Sequence, residues 1–424
     1  MKNRIKQYLL AASMCVGLTA CSDFFEPIPG VQFGLDETFA SKQRTEEYLN
    51  NVYSYVREVT DAIHPNTYGG IFTEASLDGA NRWNKTYAEW TNGSFNSASA
   101  QASEYFSKYY QAIAKASTFI QNVDKCTEAA ASTRGKWKSE ARALRAYYYF
   151  ELLRLYGPIP LIGEDPIPLD ASLEELIKER NSVDECVNFI ATELQSAIDS
   201  GDLLQRAGKA NLGRMDVATC MALKAKLYLY WASPLFNGNT DQASVKNKDG
   251  KQLFPQTEDH SKWTQARDAY ERFMTFATGQ GYKLTEVYTN GKLDPYASCR
   301  AAGEFFTTTW EAVDELIFVK LRDLYDYTYW VCPKFTDFQD TDVTGGGGYY
   351  TTQETVDLFF TKDGLTIEED PGYDKFEGVP GANNFTSGRY YDPNNPSRLY
   401  FDADKSKVLK QWKDREPRFY VNIT

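Results

Sequence analysis

Trp137-Lys138-Ser139-Glu140-Ala141-Arg142-Ala143-Leu144-Arg145-Ala146-Tyr147-Tyr148-Tyr149-Phe150-Glu151-Leu152-Leu153-Arg154-Leu155-Tyr156-Gly157-Pro158 is the stretch whose reading decides the fold class. Trp137, Ala141, Leu144, Tyr148, Leu152 and Leu155 follow one another at intervals of four, three, four, four and three residues. That spacing sets them on one face of a helix, with Lys138, Arg142 and Arg145 on the other. Gly157 offers a positive-φ cap and Pro158 cannot continue a helix, so the element is expected to run over 134–156 and stop there.

The same period recurs on both sides, and helices are expected at 41–62, 101–125, 182–200, 215–233 and 263–278. In 215–233, Asp216 is the expected N-cap and Pro234 with Gly238 the stop. Ala218, Met221, Ala222, Ala225, Leu229 and Ala232 share one face, where the small side chains let another helix approach closely. Long helices joined in pairs suggest a helical repeat array, although no fixed-period identity runs through the sequence, so a plain helical domain stays open. Beyond residue 280 the character changes. Gly345 to Gly348, scattered prolines and Asp-Asn-Gly clusters interrupt short apolar runs, giving a loop-rich half with few short strands. The expected class is mainly α.

Lys2, Arg4 and Lys6 precede an apolar run from Tyr8 to Leu18, the pattern of an export signal. That run is shorter than the roughly 20 residues a spanning helix needs. Residues 1–20 are therefore read as a leader and 21–38, with Pro27, Pro29, Gly30 and Gly34, as an extended tether. A helical scaffold over 39–280 and the loop-rich region over 281–424 complete the expected organisation.

The chain carries 58 Asp and Glu against 46 Lys and Arg, a formal charge of −12, which repels phosphate backbones and excludes nucleic acid as a partner. Cys126, Cys186, Cys220, Cys299 and Cys332 form no CxxC pair, so a zinc or redox motif is not supported and buried small hydrophobes are the expected reading. Asp340-Thr341-Asp342 and Glu368-Glu369-Asp370 with Asp374 lack EF-hand spacing and are read as solvated loop acids. No metal and no cofactor are expected. His64 and His260 sit in no nucleophile motif, so no catalytic residue is assigned. A glycosidase would need two carboxylates about 5 to 9 Å apart, and no pair stands out.

Three blocks resemble the SusD/RagB family: Arg142 to Leu161, Ala222 to Gly238, and Cys21-Ser22-Asp23-Phe24-Phe25-Glu26. Leu18-Thr19-Ala20-Cys21 also resembles a bacterial lipobox, which implies acylation of Cys21 and a lipid anchor. The resemblance implies a scaffold of tetratricopeptide-like helix pairs carrying long irregular loops, on a surface-exposed outer-membrane lipoprotein. It further implies a glycan ligand, with a peptide as the alternative, passed to a SusC-type TonB-dependent transporter, and no catalytic residues. Family members continue past the position of Glu416-Pro417-Arg418-Phe419-Tyr420, so the C-terminus, which ends at Thr424, is expected to be incomplete.

A sugar ring offers an apolar C–H face that stacks on an aromatic ring, and hydroxyls that need directional partners. The segment Asp78 to Trp90 concentrates both needs, with Trp83 as the candidate stacker, Trp90 as a second, and Asn81 and Arg82 as hydroxyl partners. Its position is similar to that of a ligand-contacting loop in starch-binding family members. The plain alternatives are tryptophans plugging the loop onto the body and Asn81 and Arg82 as turn residues. A second run, Tyr325-Asp326-Tyr327-Thr328-Tyr329-Trp330, lies where family members supply the opposing wall, and Tyr329 and Trp330 are its candidates. With 29 Tyr, 25 Phe and 8 Trp, the aromatic excess must be packed or displayed.

Overall fold

The helices follow from their caps and periods. In the computed structural model, the structure describes residues 34–56, 76–77, 79–81, 89, 93–165, 167, 171–304, 314–320, 349–374, 385–387 and 407–423. The first part holds α1 (Leu35–Ala40), α2 (Lys42–Tyr53), α3 (Ala100–Asn122), α4 (Ala131–Tyr156), α5 (Leu173–Leu176), α6 (Val183–Asp199), α7 (Val217–Ala232) and α8 (Ser261–Gly279). Three short helices follow, α9 (Pro295–Glu304), α10 (Gln353–Asp357) and α11 (Pro417–Asn422). Three two-stranded antiparallel ladders accompany them: β1 (Ala80–Asn81) with β4 (Tyr349–Tyr350), β2 (Tyr288–Thr289) with β3 (Lys292–Leu293), and β5 (Phe385–Ser387) with β6 (Lys407–Leu409).

Each long helix packs on the next long one: α3 on α4, α4 on α6, α6 on α7, and α7 on α8. This is the expected helix-pair scaffold. Among the described residues the first helix begins at Leu35, inside the 21–38 stretch read as a tether. One local and two non-local contacts hold it: Glu37 accepts the Gly34 N–H at 3.2 Å, Lys125 pairs with Asp36 at 2.9 Å, and Phe39 is fully buried in the core.

The one-faced reading of α4 is corrected. Ala141, Ala143, Leu144, Ala146, Tyr148, Tyr149 and Leu152 are all buried, because neighbours cover the helix on several sides. Arg145, placed by periodicity on the polar face, is 1% exposed. Its Nε and Nη2 donate to Glu193 Oε2 of α6 at 2.8 and 2.5 Å, and its Nη1 to Ser117 Oγ of α3 at 3.1 Å. Arg142 adds a bond to Glu193 Oε1 at 3.0 Å. Glu140, also buried, accepts the Tyr53 hydroxyl at 2.9 Å and pairs with Arg214 at 2.7 Å. Sliding α4 by a turn would leave these charges buried and unpaired, which is strongly unfavourable, so the network fixes its register.

Much of the aromatic excess is packed here. Tyr148 stacks on Tyr109 with ring centroids 6.0 Å apart and donates its hydroxyl to the Val52 carbonyl. Tyr149 donates to the Ile162 carbonyl at 2.9 Å and accepts the Ile162 N–H at 3.0 Å, holding the turn after α4. That turn needs Gly157: φ is +67°, and a Cβ there would lie 3.0 Å from the Phe254 ring.

α6 opens with a capping box. Ser182 Oγ accepts the Glu185 N–H at 3.3 Å while Glu185 accepts the Ser182 N–H at 2.7 Å. The Lys251 ammonium, and then the Ser182 N–H, hold the Glu185 carboxyl down at about 2. Asp216 caps α7 as expected, accepting the Thr219 N–H at 2.7 Å. Leu229 leaves the expected buried face and is 40% exposed, because α7 is held between α6 and α8 rather than along one stripe. The buried Lys262 of α8 pairs with Asp184 of α6 at 2.9 Å and lies 4.4 Å above the Trp231 ring of α7, whose N–H donates to the same Asp184 at 2.6 Å. Three helices are joined at one carboxylate. In the C-terminal half, the buried Arg415 gathers the Val356, Phe359 and Gln411 carbonyls and the Tyr373 hydroxyl.

Arg145→Leu should cost about 3 to 5 kcal/mol in urea denaturation because Glu193 loses its fully buried partner. The double change with Glu193→Leu should recover most of that, and equal losses in both variants would refute the pairing. For Glu185, the folded carboxyl lies below its ordinary 4.5 at about 2. The stability difference between wild type and Glu185→Gln should therefore be fully present at neutral pH and fade as the pH falls from 4.5 towards 2. A difference that grows on acidification would contradict this.

Candidate functional site

The sequence-selected loop is fastened at both ends. At its start, the Leu77 carbonyl accepts the hydroxyl of Thr352 at 2.8 Å and that of Thr355. Thr352 is also the N-cap of α10, accepting the Thr355 N–H at 3.2 Å, so one side chain closes the helix and holds the loop. Next along the chain, Ala80 pairs with Tyr350 and Asn81 with Tyr349. Directly opposed residues of an antiparallel pair share a face. At the far end, the Phe95 N–H donates to the Glu89 carbonyl at 3.2 Å. Asn96 Oδ1 then accepts the Ala98 N–H at 2.9 Å, and Ser99 Oγ the Asn96 N–H at 3.1 Å, which turns the chain into α3.

Of the candidate ligand residues, Asn81 lies in β1, and the ladder brings it opposite Tyr349. Arg82, Trp83, Trp90, Tyr329 and Trp330, like the candidate anchor Cys21, lie outside the described residues. Sequence reading passed over Tyr349-Tyr350, whose signal was an aromatic pair directly after the four-glycine run. It also passed over Glu89. One Glu89 carboxylate oxygen and the Thr351 hydroxyl are buried without a hydrogen-bond partner. Buried polar groups call for partners, which water or ligand hydroxyls can supply. Tyr350 is 52% exposed.

A cleft of about 300 Å³ lies elsewhere, where α2 and residues 212–214 meet residues 318–320. Its chemistry is a seam. Lys320 Nζ donates to the Ser54 and Val56 carbonyls at 3.3 and 2.6 Å, satisfying groups beyond the end of α2. Gly213 has φ +84°, and a Cβ there would sit 2.9 Å from the Val319 carbonyl oxygen. Behind it, burial pushes the Glu140 carboxyl up while the Arg214 guanidinium opposes that shift.

Among the described residues no group of three or more His, Cys, Asp or Glu is placed to hold a metal ion. Glu369 and Asp370 instead serve turns, accepting the Thr366 hydroxyl at 3.1 Å and the Gly372 N–H at 2.8 Å. Cys126, Cys186 and Cys220 are buried free thiols and Cys299 is half-buried.

Two family models match the chain. One, described as starch-binding and associating with the outer membrane, covers residues 32–229, and the other, described as the SusD family, covers residues 315–424. A SusD-like protein of Bacteroides ovatus is 27% identical over 175 residues, which is 40% of this chain and 30% of that protein. The solved structure of BT4246 is similar with a TM-score of 0.68 at 25% identity, over 90% of this chain and 64% of that one. A SusD-like protein of Bacteroides fragilis, BF3747, is similar with a TM-score of 0.62 at 19% identity, over 92% of this chain and 62% of that one. The chain thus spans 30% of the curated relative and less than two thirds of these solved chains. The helix-pair scaffold is the tetratricopeptide-like one of SusD-type structures.

Thr352→Val should remove the cap and one of the two hydroxyls that hold the Leu77 carbonyl, leaving that of Thr355, and cost about 1 to 2 kcal/mol locally. Amide exchange should then quicken at Asn81 and Tyr350 and stay unchanged in α4. Unchanged exchange at Asn81 would show that Thr352 does not hold the loop.

Proposed function

The chain belongs to the SusD/RagB family, and from that premise we propose that it holds a glycan at the outer-membrane surface and passes it to a SusC-type TonB-dependent transporter, catalysing no reaction. The observation that carries this reading is the β1–β4 ladder, which joins the loop selected for sugar chemistry to an aromatic pair about 270 residues further on. Glycan recognition needs ring faces and hydroxyl partners held together, and rigid presentation lowers the entropic cost of binding. In this reading Trp83 stacks on a sugar ring, with Trp90, Tyr329 and Trp330 as further aromatic walls. Asn81 and Arg82 address hydroxyls.

The membrane address follows from the same premise. The matched family is described as outer-membrane associated. Among the described residues no helix is long and apolar enough to cross a membrane. Acylation of Cys21 would supply the attachment, since lipid chains contribute about 0.8 kcal/mol per buried methylene.

Binding to soluble starch, xylan, mannan, a mixed-linkage β-glucan and a peptide mixture tests the assignment. At least one polysaccharide should bind, and Trp83→Ala should weaken that binding about tenfold, some 1.4 kcal/mol, with an unchanged melting temperature. Peptide binding without glycan binding would overturn the ligand class. New reducing ends on the bound glycan would overturn the non-catalytic role.

A further inference from the structure

We infer that Tyr350 is a sugar-stacking residue of this site, its half-exposed ring taking the apolar C–H face of a pyranose; the inference rests on the glycan reading above. Three observations carry it. In the ladder, Tyr350 stands directly opposite Ala80. Tyr350 is 52% exposed, and Leu77, whose carbonyl is held by Thr352 and Thr355, is 47% exposed. Aromatic side chains ordinarily bury about 150 to 250 Å² each, so a half-exposed tyrosine leaves apolar surface uncovered.

The backbone beneath the ring is fixed. Tyr350 lies two residues before Thr352, which caps α10 and grips the opposite segment, so the ring is presented from an anchored strand rather than a free loop. Two other exposed aromatics lie on elements that do not pair with the candidate loop. Tyr288, 60% exposed, donates its hydroxyl to Glu286 at 3.0 Å on the separate β2–β3 hairpin, and Trp263, 41% exposed, sits on α8. Tyr350 alone of these three shares a ladder with the candidate loop. The third observation concerns hydroxyls. The loop's Glu89 holds a buried carboxylate oxygen with no hydrogen-bond partner, an acceptor suited to a sugar hydroxyl. A stacking surface and an unmet acceptor thus occur on the two segments that the ladder and the threonine clip bring together.

The test uses the full chain and whichever of soluble starch, xylan, mannan or β-glucan binds the wild type, with affinity read by calorimetric titration. Tyr350→Phe keeps the ring and should bind within about twofold of wild type, whereas Tyr350→Ala should lose about tenfold, the size of one aromatic stacking contact. Equal melting temperatures should confirm that the exposed position tolerates both changes. Wild-type affinity in Tyr350→Ala would overturn this inference and leave the glycan reading standing. A Tyr350→Phe loss as large as that of alanine would also overturn it, because the hydroxyl rather than the ring face would then be the contact. Failure of the wild type to bind any of the four polysaccharides would remove the glycan reading, and this inference with it.

Discussion

Glu193, buried between two helices and held by Arg145 and Arg142, is the interaction on which the rest of the structure depends. A lone buried carboxylate is costly, and so is a lone buried guanidinium. Together they require α4 and α6 to meet in one register, and the bond from Arg145 to Ser117 brings α3 into the same requirement. With α4 fixed, Tyr148 meets Val52, Tyr149 meets Ile162, and Glu140 meets Tyr53 and Arg214. The aromatic abundance of the scaffold is spent largely on this packing. The interior thereby becomes a rigid frame from which loops can be displayed.

Local signals were readable and non-local ones were not. The helix over 134–156 was legible because its apolar period and its Gly157-Pro158 stop lie within one short stretch, and Asp216 was legible because an N-cap bonds only a few residues ahead. Arg145 was misassigned because a helical period assumes one buried face, whereas α4 is covered on several sides by neighbours that the period cannot reveal. Leu229 fails for the same reason on α7. α1 escaped notice because its six residues are too few to display a period and depend on Glu37, Phe39 and Lys125.

The candidate site divides along the same line. Composition pointed to the segment around Asn81, since tryptophan, asparagine and arginine close together suit a sugar. Nothing in the sequence near Asn81 announces Tyr349-Tyr350. Their pairing is set by a two-residue ladder and two threonine hydroxyls on the Leu77 carbonyl, contacts between segments about 270 residues apart. In the proposed reading, a binding surface assembled from such distant parts depends on tertiary contacts rather than on any one stretch of sequence. The proposed capture of a glycan needs stacking rings and hydroxyl partners in fixed positions but no activated nucleophile.

Photo-labelling with a glycan carrying a diazirine, followed by mass-spectrometric mapping of the adducts, tests the composite surface most directly. The account predicts adducts in both 76–95 and 349–355, lost together when unlabelled glycan competes. Adducts confined to one of these segments, or found instead at the seam formed by 212–214 and 318–320, would contradict it.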